Sequence, residues 1–222
     1  NIPAVIARLT YAYEFLKSNV NLKNKSLCDV GAGKGEFLDF ARKSKLTSEN
    51  YGIEMSEENS AILKKKKIKF SDLSLEDFVD SNPNKKFDII SLNWTLENMQ
   101  SAKECIEKCN KLLNKNGKLL ISTGSRILVP FKKPLQFYIP RDNPIDVHPF
   151  HFSANSLKAL LNNNGFGDFI LNRFIDTEYL CIIAKKLSTK MRIKKKCDDP
   201  KKVYDFFKRW HKESSHYLEQ EK

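Results

Sequence analysis

The sequence contains no apolar run close to the roughly 18 residues that a membrane-spanning helix needs. Its apolar stretches, such as Phe87 to Leu92 and Leu119 to Ser122, are strand-sized. No signal-peptide pattern is visible at its start, which is Asn1 rather than Met. No internal repeat is present. Paired cysteines are missing too: Cys28, Cys105, Cys109, Cys181 and Cys197 form an odd set without CxxC spacing. That set argues against a disulfide framework and against a zinc site, and it makes a reducing, cytoplasmic setting the expectation. Cys105 and Cys109 share one face of a helix and are expected to be packing residues.

What is present suits one α/β domain with modest extras. The chain has 222 residues, of which 41% are hydrophobic and 30% charged, too apolar and too aromatic for a disordered chain. Its net charge is +12, which makes anionic partners plausible. The surplus is uneven. From Lys185 to Lys222 there are 13 Lys and Arg against 6 Asp and Glu, so about seven of the charges lie on the C-terminal segment. The run Lys64 to Lys67 is a second source, and both are expected to be solvated faces.

Short β-type runs alternate with segments of helical period, the pattern of a mainly parallel sheet covered by helices on both faces. Strands are predicted near 26–30, 50–54, 67–70, 87–92, 117–122, 168–174 and 178–184. Helices are predicted near 4–18, 34–44, 56–64, 74–80 and 101–114, with Asn116-Gly117 as the stop signal of the last. Another opens at Ser153 and stops at Gly165. A final amphipathic helix near 200–218 carries Val203, Phe206, Phe207 and Trp210 on one stripe. Residues 124–152, rich in proline and without a clean period, read as a functional loop insertion. The boundaries that follow are a domain over 1–186 and a basic extension over 187–222.

The most informative stretch runs from Leu27 to Gly35, a strand entering Gly31-x-Gly33-x-Gly35 and then a helix. Glycines remove the Cβ atoms that would keep a ligand from the backbone N–H groups and the helix N-terminus. Glu54 closes the next strand, 23 residues after Gly31, where a carboxylate can accept from both hydroxyls of an adenosine ribose. A dinucleotide fingerprint needs a sixth-position glycine or alanine, but Glu36 stands there, an acid beside a would-be pyrophosphate. The Gly-Lys-Ser/Thr ending of a P-loop is absent as well.

With these residues in view, Asp29 to Gly35 resembles the first motif of class I S-adenosylmethionine-dependent methyltransferases. Tyr51-Gly52-Ile53-Glu54 resembles their second, Phe70-Ser71-Asp72-Leu73 their third and Phe87 to Asn98 their fourth. Leu112 to Leu119 is similar to the leucine-rich helix, glycine and strand that follow. The resemblance implies a Rossmann-like fold with a seven-stranded, mostly parallel sheet, S-adenosylmethionine as methyl donor with S-adenosylhomocysteine as product, and no metal. It implies that Asp29 and the backbone at Gly31, Ala32 and Gly33 hold the methionine end and Glu54 the ribose. Met55 and Leu73 would cover the adenine faces, Asp72 would take its amino group, and Asn93 and Leu96 would form the rim beside the sulfonium. Members of the family often carry His where this chain has Asn98.

Methyl transfer from a sulfonium is an in-line displacement, helped mainly by positioning and by exclusion of water; a base matters when the acceptor is a weakly acidic alcohol. His148 is the first candidate base and His151 the second, since both precede the Ser153 helix where a substrate loop would cross the pocket. Two histidines without a third ligand do not make a metal site. Arg126, Lys132, Lys133 and Arg141, interleaved with Phe137 and Tyr138, suit an anionic acceptor with a sugar-like ring; Arg126, Tyr138 and Arg141 are the candidate substrate-binding residues.

The stretches from Thr123 to Arg126, His148 to Ser153 and Asn164 to Phe166 resemble methyltransferases of polysaccharide and nucleotide-sugar biosynthesis. O-methylation of a sugar, nucleotide-sugar or glycan hydroxyl is therefore the leading expectation. A nucleic-acid methyltransferase using the basic C-terminal segment is the alternative, although Asn93-Trp94-Thr95-Leu96 lacks the Asn/Asp-Pro-Pro-Tyr/Phe sequence that stacks a flipped base. A non-catalytic interaction protein that keeps the fold is the third reading. The last helix is expected to pack on the domain or at a homodimer contact.

Overall fold

The computed structural model describes residues 4–124, 148–172, 179–188, 198–206 and 208–209. Seven strands make one sheet: β1 (Ser26–Val30), β2 (Glu49–Ile53), β3 (Lys69–Ser71), β4 (Phe87–Asn93), β5 (Leu113–Gly124), β6 (Phe166–Leu171) and β7 (Tyr179–Lys186). Their spatial order is β3-β2-β1-β4-β5-β7-β6. The first five are parallel, whereas β7 runs antiparallel between β5 and β6.

Among the described residues, the helices that pack on the sheet are α1 (Ala4–Asn19), α2 (Glu36–Ser44), α3 (Glu57–Lys65), α4 (Leu75–Ser81), α5 (Ala102–Leu112) and α6 (Ala154–Asn163). Because side chains alternate across a strand, each strand feeds two cores. Cys28, Val30, Ile90, Leu92, Leu119, Ile121 and Ile182 pack with α4, α5 and α6. Leu27, Ile89, Leu120, Cys181 and Ile183 point the other way, toward α1, α2 and α3. The sequence expectation of helices on both faces of a mostly parallel sheet therefore holds.

Some boundaries shift. Helix α5 stops at Leu112, two residues before the predicted end, and the chain enters β5 at once. Between Leu113, paired with Phe87, and Lys118, paired with Ile89, the register slips around Asn116 at φ 62°. The Asn-Gly signal thus marks a bulge within the strand rather than the helix stop. Strand β3 begins at Lys69 rather than near 67, since Lys67 turns the chain at φ 55°. Cys28, Cys105, Cys109 and Cys181 are all free and buried, and burial pushes the Cys28 thiol well above its usual range; Cys197 lies outside the described residues.

Not all of the Lys64 to Lys67 run is a solvated face. Lys66 is half-buried, and its Nζ donates to the Lys34 carbonyl and to Asp39 Oδ2, each at 2.7 Å. Arg42 Nη1 returns a bond to the Lys66 carbonyl at 2.8 Å. The C-terminal end of α3 is thereby tied to the glycine turn and to the first turns of α2.

Near the C-terminus, residues 200–206 and 208–209 are helical, and Asp199 Oδ1 accepts from the Lys201 N–H at 2.9 Å. Asp198 accepts from Ser153 Oγ at 2.7 Å and Asn155 Nδ2 at 2.9 Å, bringing a carboxylate to the positive end of α6. Val203 and Phe206 are half-buried and Tyr204 is exposed; Phe207 and Trp210 lie outside the described residues. No described helix is long and apolar enough to cross a membrane.

Gly35, at φ 77°, leads into α2, and a Cβ there would stand 2.6 Å from Leu63 Cδ2 and 2.7 Å from Ile68 Cδ1. Gly35→Ala combines a left-handed L-residue with overpacking between α2 and α3. It is expected to lower unfolding free energy by about 2–4 kcal/mol, read from the urea midpoint at unchanged slope.

Candidate cofactor and catalytic site

The strand order reverses at β1, whose two neighbours are β2 and β4, and the carboxyl ends of these strands form the crevice where open α/β sheets bind ligands. Beyond β1 the chain turns sharply, with Gly31 at φ 69°, Gly33 at φ 53° and Gly35 at φ 77°. The Gly31 and Ala32 N–H groups donate to the Ile53 carbonyl at 2.8 and 3.1 Å, which pins the turn to the end of β2. A Cβ on Gly31 would lie 2.6 Å from Thr95 Oγ1, whereas a Cβ on Gly33 would meet nothing within 4 Å. Gly31 is thus required by packing, and Gly33 faces open space in which a ligand can reach the backbone.

Asp29 is buried under this turn, 2% exposed. Its Oδ1 accepts from Ser91 Oγ at 2.7 Å and from Asn93 Nδ2 at 3.0 Å, while Asn93 Oδ1 accepts from Ser122 Oγ at 2.6 Å. The chain of bonds crosses β1, β4 and β5. Burial pushes the Asp29 carboxyl up to about 7; the bonds from Ser91 and Asn93 oppose that rise, and the charges of Glu54 and Glu36 add to it. Ser91, Ser122 and Thr95 were not among the residues singled out from sequence. Their signal was a hydroxyl within or just after an otherwise apolar strand.

Glu54 ends β2 with both oxygens engaged: Oε2 accepts from the Gly33 N–H at 2.7 Å and Oε1 from the Ser56 N–H at 2.9 Å. Next to it Met55 is 71% exposed, and Leu73, after β3, is 37% exposed, two of the few large apolar side chains left in water. Asp72 beside Leu73 is exposed. Leu96, expected at the rim beside the sulfonium, is instead 0% exposed and part of the core, so it offers a ligand no surface in this conformation. Its place in the short 3-10 turn Leu96–Asn98 points it inward. Asn93, also expected there, is 9% exposed and occupied by its bonds to Asp29 and Ser122.

Trp94, at φ 52°, marks where β4 leaves the sheet; its N–H donates to the Ser122 carbonyl at 2.9 Å. Its ring lies 5.1 Å from that of Tyr179 and 5.3 Å from the Arg8 guanidinium, which closes α1 over this end of the sheet. On the other side of the 3-10 turn, the Phe150 N–H donates to the Glu97 carbonyl at 3.3 Å. His148 Nδ1 lies 2.7 Å from Asn98 Oδ1, and the rings of His148 and His151 are 6.0 Å apart. Arg126, Lys132, Lys133, Phe137, Tyr138 and Arg141 lie outside the described residues. Among the described residues no group of three His, Cys, Asp or Glu side chains is placed to hold a metal ion.

A family profile described as a methyltransferase domain matches residues 5–168, from α1 into β6. The chain belongs to the methyltransferase-domain family. Solved structures agree on the fold. Magnesium protoporphyrin IX methyltransferase from Synechocystis, with bound S-adenosylhomocysteine, superposes with a TM-score of 0.60 at 17% identity over 82% of this chain and 83% of its own. An S-adenosylmethionine-dependent methyltransferase from Archaeoglobus fulgidus gives 0.60 at 18% identity over 80% and 94%. One from Clostridium acetobutylicum gives 0.60 at 12% identity over 84% and 94%. No protein of curated function matches the sequence.

The protein is thus a class I methyltransferase enzyme with S-adenosylmethionine as its methyl donor. The residues present fit that group: the space beside the Gly33 Cα is open, Glu54 offers carboxylate oxygens, and Met55 and Leu73 present exposed apolar side chains.

Asp29 gives this methyltransferase a pH dependence whose sign is fixed by its raised pKa. Between the ordinary value of 3.8 and about 7 the folded carboxyl keeps a proton that the unfolded chain has lost, so a contribution fully present below 3.8 is lost as pH rises toward 7. Asp29→Asn, neutral and of similar shape, is expected to lose less stability than the native protein from pH 5 to pH 8, as read by thermal unfolding across that range.

Proposed function

We propose that this methyltransferase modifies a hydroxyl of a sugar, nucleotide-sugar or glycan, by in-line displacement with His148 as general base. The observation that carries this reading is the imidazole of His148, held by Asn98 in the turn that directly follows β4, at the crevice end of the sheet. An alcohol is a poor nucleophile at neutral pH and benefits from a base within hydrogen-bond reach. Further support comes from the sequence of the loop insertion, where Arg126 and Arg141 supply bidentate donors for an anion and Tyr138 a ring face for a pyranose. The net charge of +12 favours an anionic acceptor, and the four buried free thiols suit a reducing cytoplasm.

Bound S-adenosylmethionine supplies an electrophilic methyl group on a sulfonium. Around it, Asp29 and the turn backbone at Gly31, Ala32 and Gly33 would hold the charged methionine end, and Glu54 the ribose. Glu54 keeps acceptor capacity on both oxygens beyond its two backbone bonds. Met55 and Leu73 would cover the adenine faces with Asp72 beside its amino group. Asn93 acts by holding Asp29 in place.

Two measurements test these assignments. Glu54→Gln sets an amide N–H₂ against a backbone N–H and is expected to weaken S-adenosylmethionine binding about 10- to 100-fold by calorimetry, the loss of a hydrogen bond to a charged group. Methyl transfer from labelled donor, assayed on a panel of nucleotide sugars and glycans, is expected to label an acceptor in that panel, and His148→Gln to lower kcat by about 10²- to 10⁴-fold. Turnover confined to RNA or protein overturns the acceptor assignment.

A further inference from the structure

The bond between His148 and Asn98 carries more information than its length. Asn98 sits at the end of the 3-10 turn Leu96–Asn98, and its own amide is fixed from behind. Its Nδ2 donates to the Trp94 carbonyl at 3.0 Å, and only the N–H₂ end of an amide can face a carbonyl oxygen. The opposite end, Oδ1, is therefore what His148 Nδ1 meets at 2.7 Å. An amide oxygen cannot donate, so Nδ1 must carry the proton. In a neutral imidazole that leaves the lone pair on Nε2.

The orientation is set by the backbone just after β4 rather than by the histidine. Trp94 adopts φ 52°, a conformation rare for a residue with a bulky side chain, with its N–H bonded to the Ser122 carbonyl of β5 at 2.9 Å and its carbonyl turned to Asn98. The turn is closed by the Asn98 N–H on the Thr95 carbonyl at 3.0 Å. The segment that bears the histidine is moored to the same turn a second time, through the Phe150 N–H on the Glu97 carbonyl, and within that segment Phe150 and Phe152 stack at 6.0 Å. Two bonds to adjacent residues of one turn fix both the position of the imidazole and which nitrogen is basic.

We propose that Asn98 is a positioning residue that locks His148 in the Nδ1–H tautomer, so that Nε2 is the nitrogen able to take the acceptor's proton. The chain of command runs from the Trp94 carbonyl through the Asn98 amide to the ring. The inference rests on the reading of His148 as the base, and the two separate experimentally, because the tautomer can be measured without an acceptor.

The test uses the full chain. Long-range proton–nitrogen correlation spectra at pH 8, with and without S-adenosylhomocysteine, report which imidazole nitrogen is protonated, and the His148 signals are assigned by their loss in His148→Gln. The expected result is the Nδ1–H form in the native protein and a mixture or the Nε2–H form in Asn98→Ala. Asn98→Asp retains an acceptor oxygen and should restore the Nδ1–H form. Its negative charge should also move the acidic limb of the kcat–pH profile upward by about one unit or more, since an adjacent carboxylate favours the imidazolium. S-adenosylhomocysteine affinity is expected to be the same in all three proteins, which separates this effect from damage to the cradle. A native Nε2–H tautomer, or a tautomer that does not respond to Asn98→Ala, overturns the proposal. Undiminished kcat in His148→Gln instead overturns the base assignment on which it rests.

Discussion

The carboxyl group of Asp29 is shut away from water, and much of the crevice end of the sheet is arranged to make that tolerable. A buried acid must have its oxygens satisfied by the protein. Ser91 and Asn93 both donate to Oδ1 from β4, and Asn93 is itself fixed by Ser122 on β5. The bonds crosslink the parallel strands beside the point where the order reverses, and they leave the turn after Val30 sitting on a rigid floor. Thr95 completes that floor by bonding the Val30 carbonyl at 3.0 Å and filling the space that only a glycine at 31 leaves open. Placing the glycine turn, the Glu54 carboxylate and the turn bearing Asn98 around one crevice follows from this crosslink.

Much of this was legible in the chain because the signals were local. Alternation of apolar residues announces both cores at once, and Ser56, Ser74, Ser101 and Ser153 each cap the helix that follows. The glycine turn and Glu54 could be paired because one strand and one helix separate them. What escaped depends on partners far apart in sequence. Lys66 looked like one member of a lysine run until α3 was seen to end against the turn at Lys34. Asp198 reads as part of a basic tail, yet it accepts from the side chain of Ser153, the N-cap of α6, 45 positions away. Leu96 was assigned by motif position alone, and a 3-10 turn rotates it into the core.

On the function proposed above, donor and acceptor are met by different parts of the chain. The residues assigned to the donor stand at or just beyond the ends of β1, β2 and β3. The residues proposed for the acceptor lie between β5 and α6 in the sequence, and of the described ones His148 meets Asn98 in the turn after β4. Such a division lets one rigid scaffold serve many acceptors through changes in a loop. Solved methyltransferases under 20% identical to this chain share its fold, and the one from Synechocystis is named for a porphyrin acceptor.

The place of β7 has a consequence for synthesis of the chain. It lies between β5 and β6, so β6 has no neighbour until Tyr179–Lys186 has been made, and the outer edge of β5 stays unpaired until then. A nascent chain leaving the ribosome N-terminus first can assemble β1 to β5, but it carries a long apolar strand edge, Leu119 to Ile121 included, open to pairing with other chains. Closure waits for the last strand, and the interval before it arrives is when this protein is most exposed to aggregation.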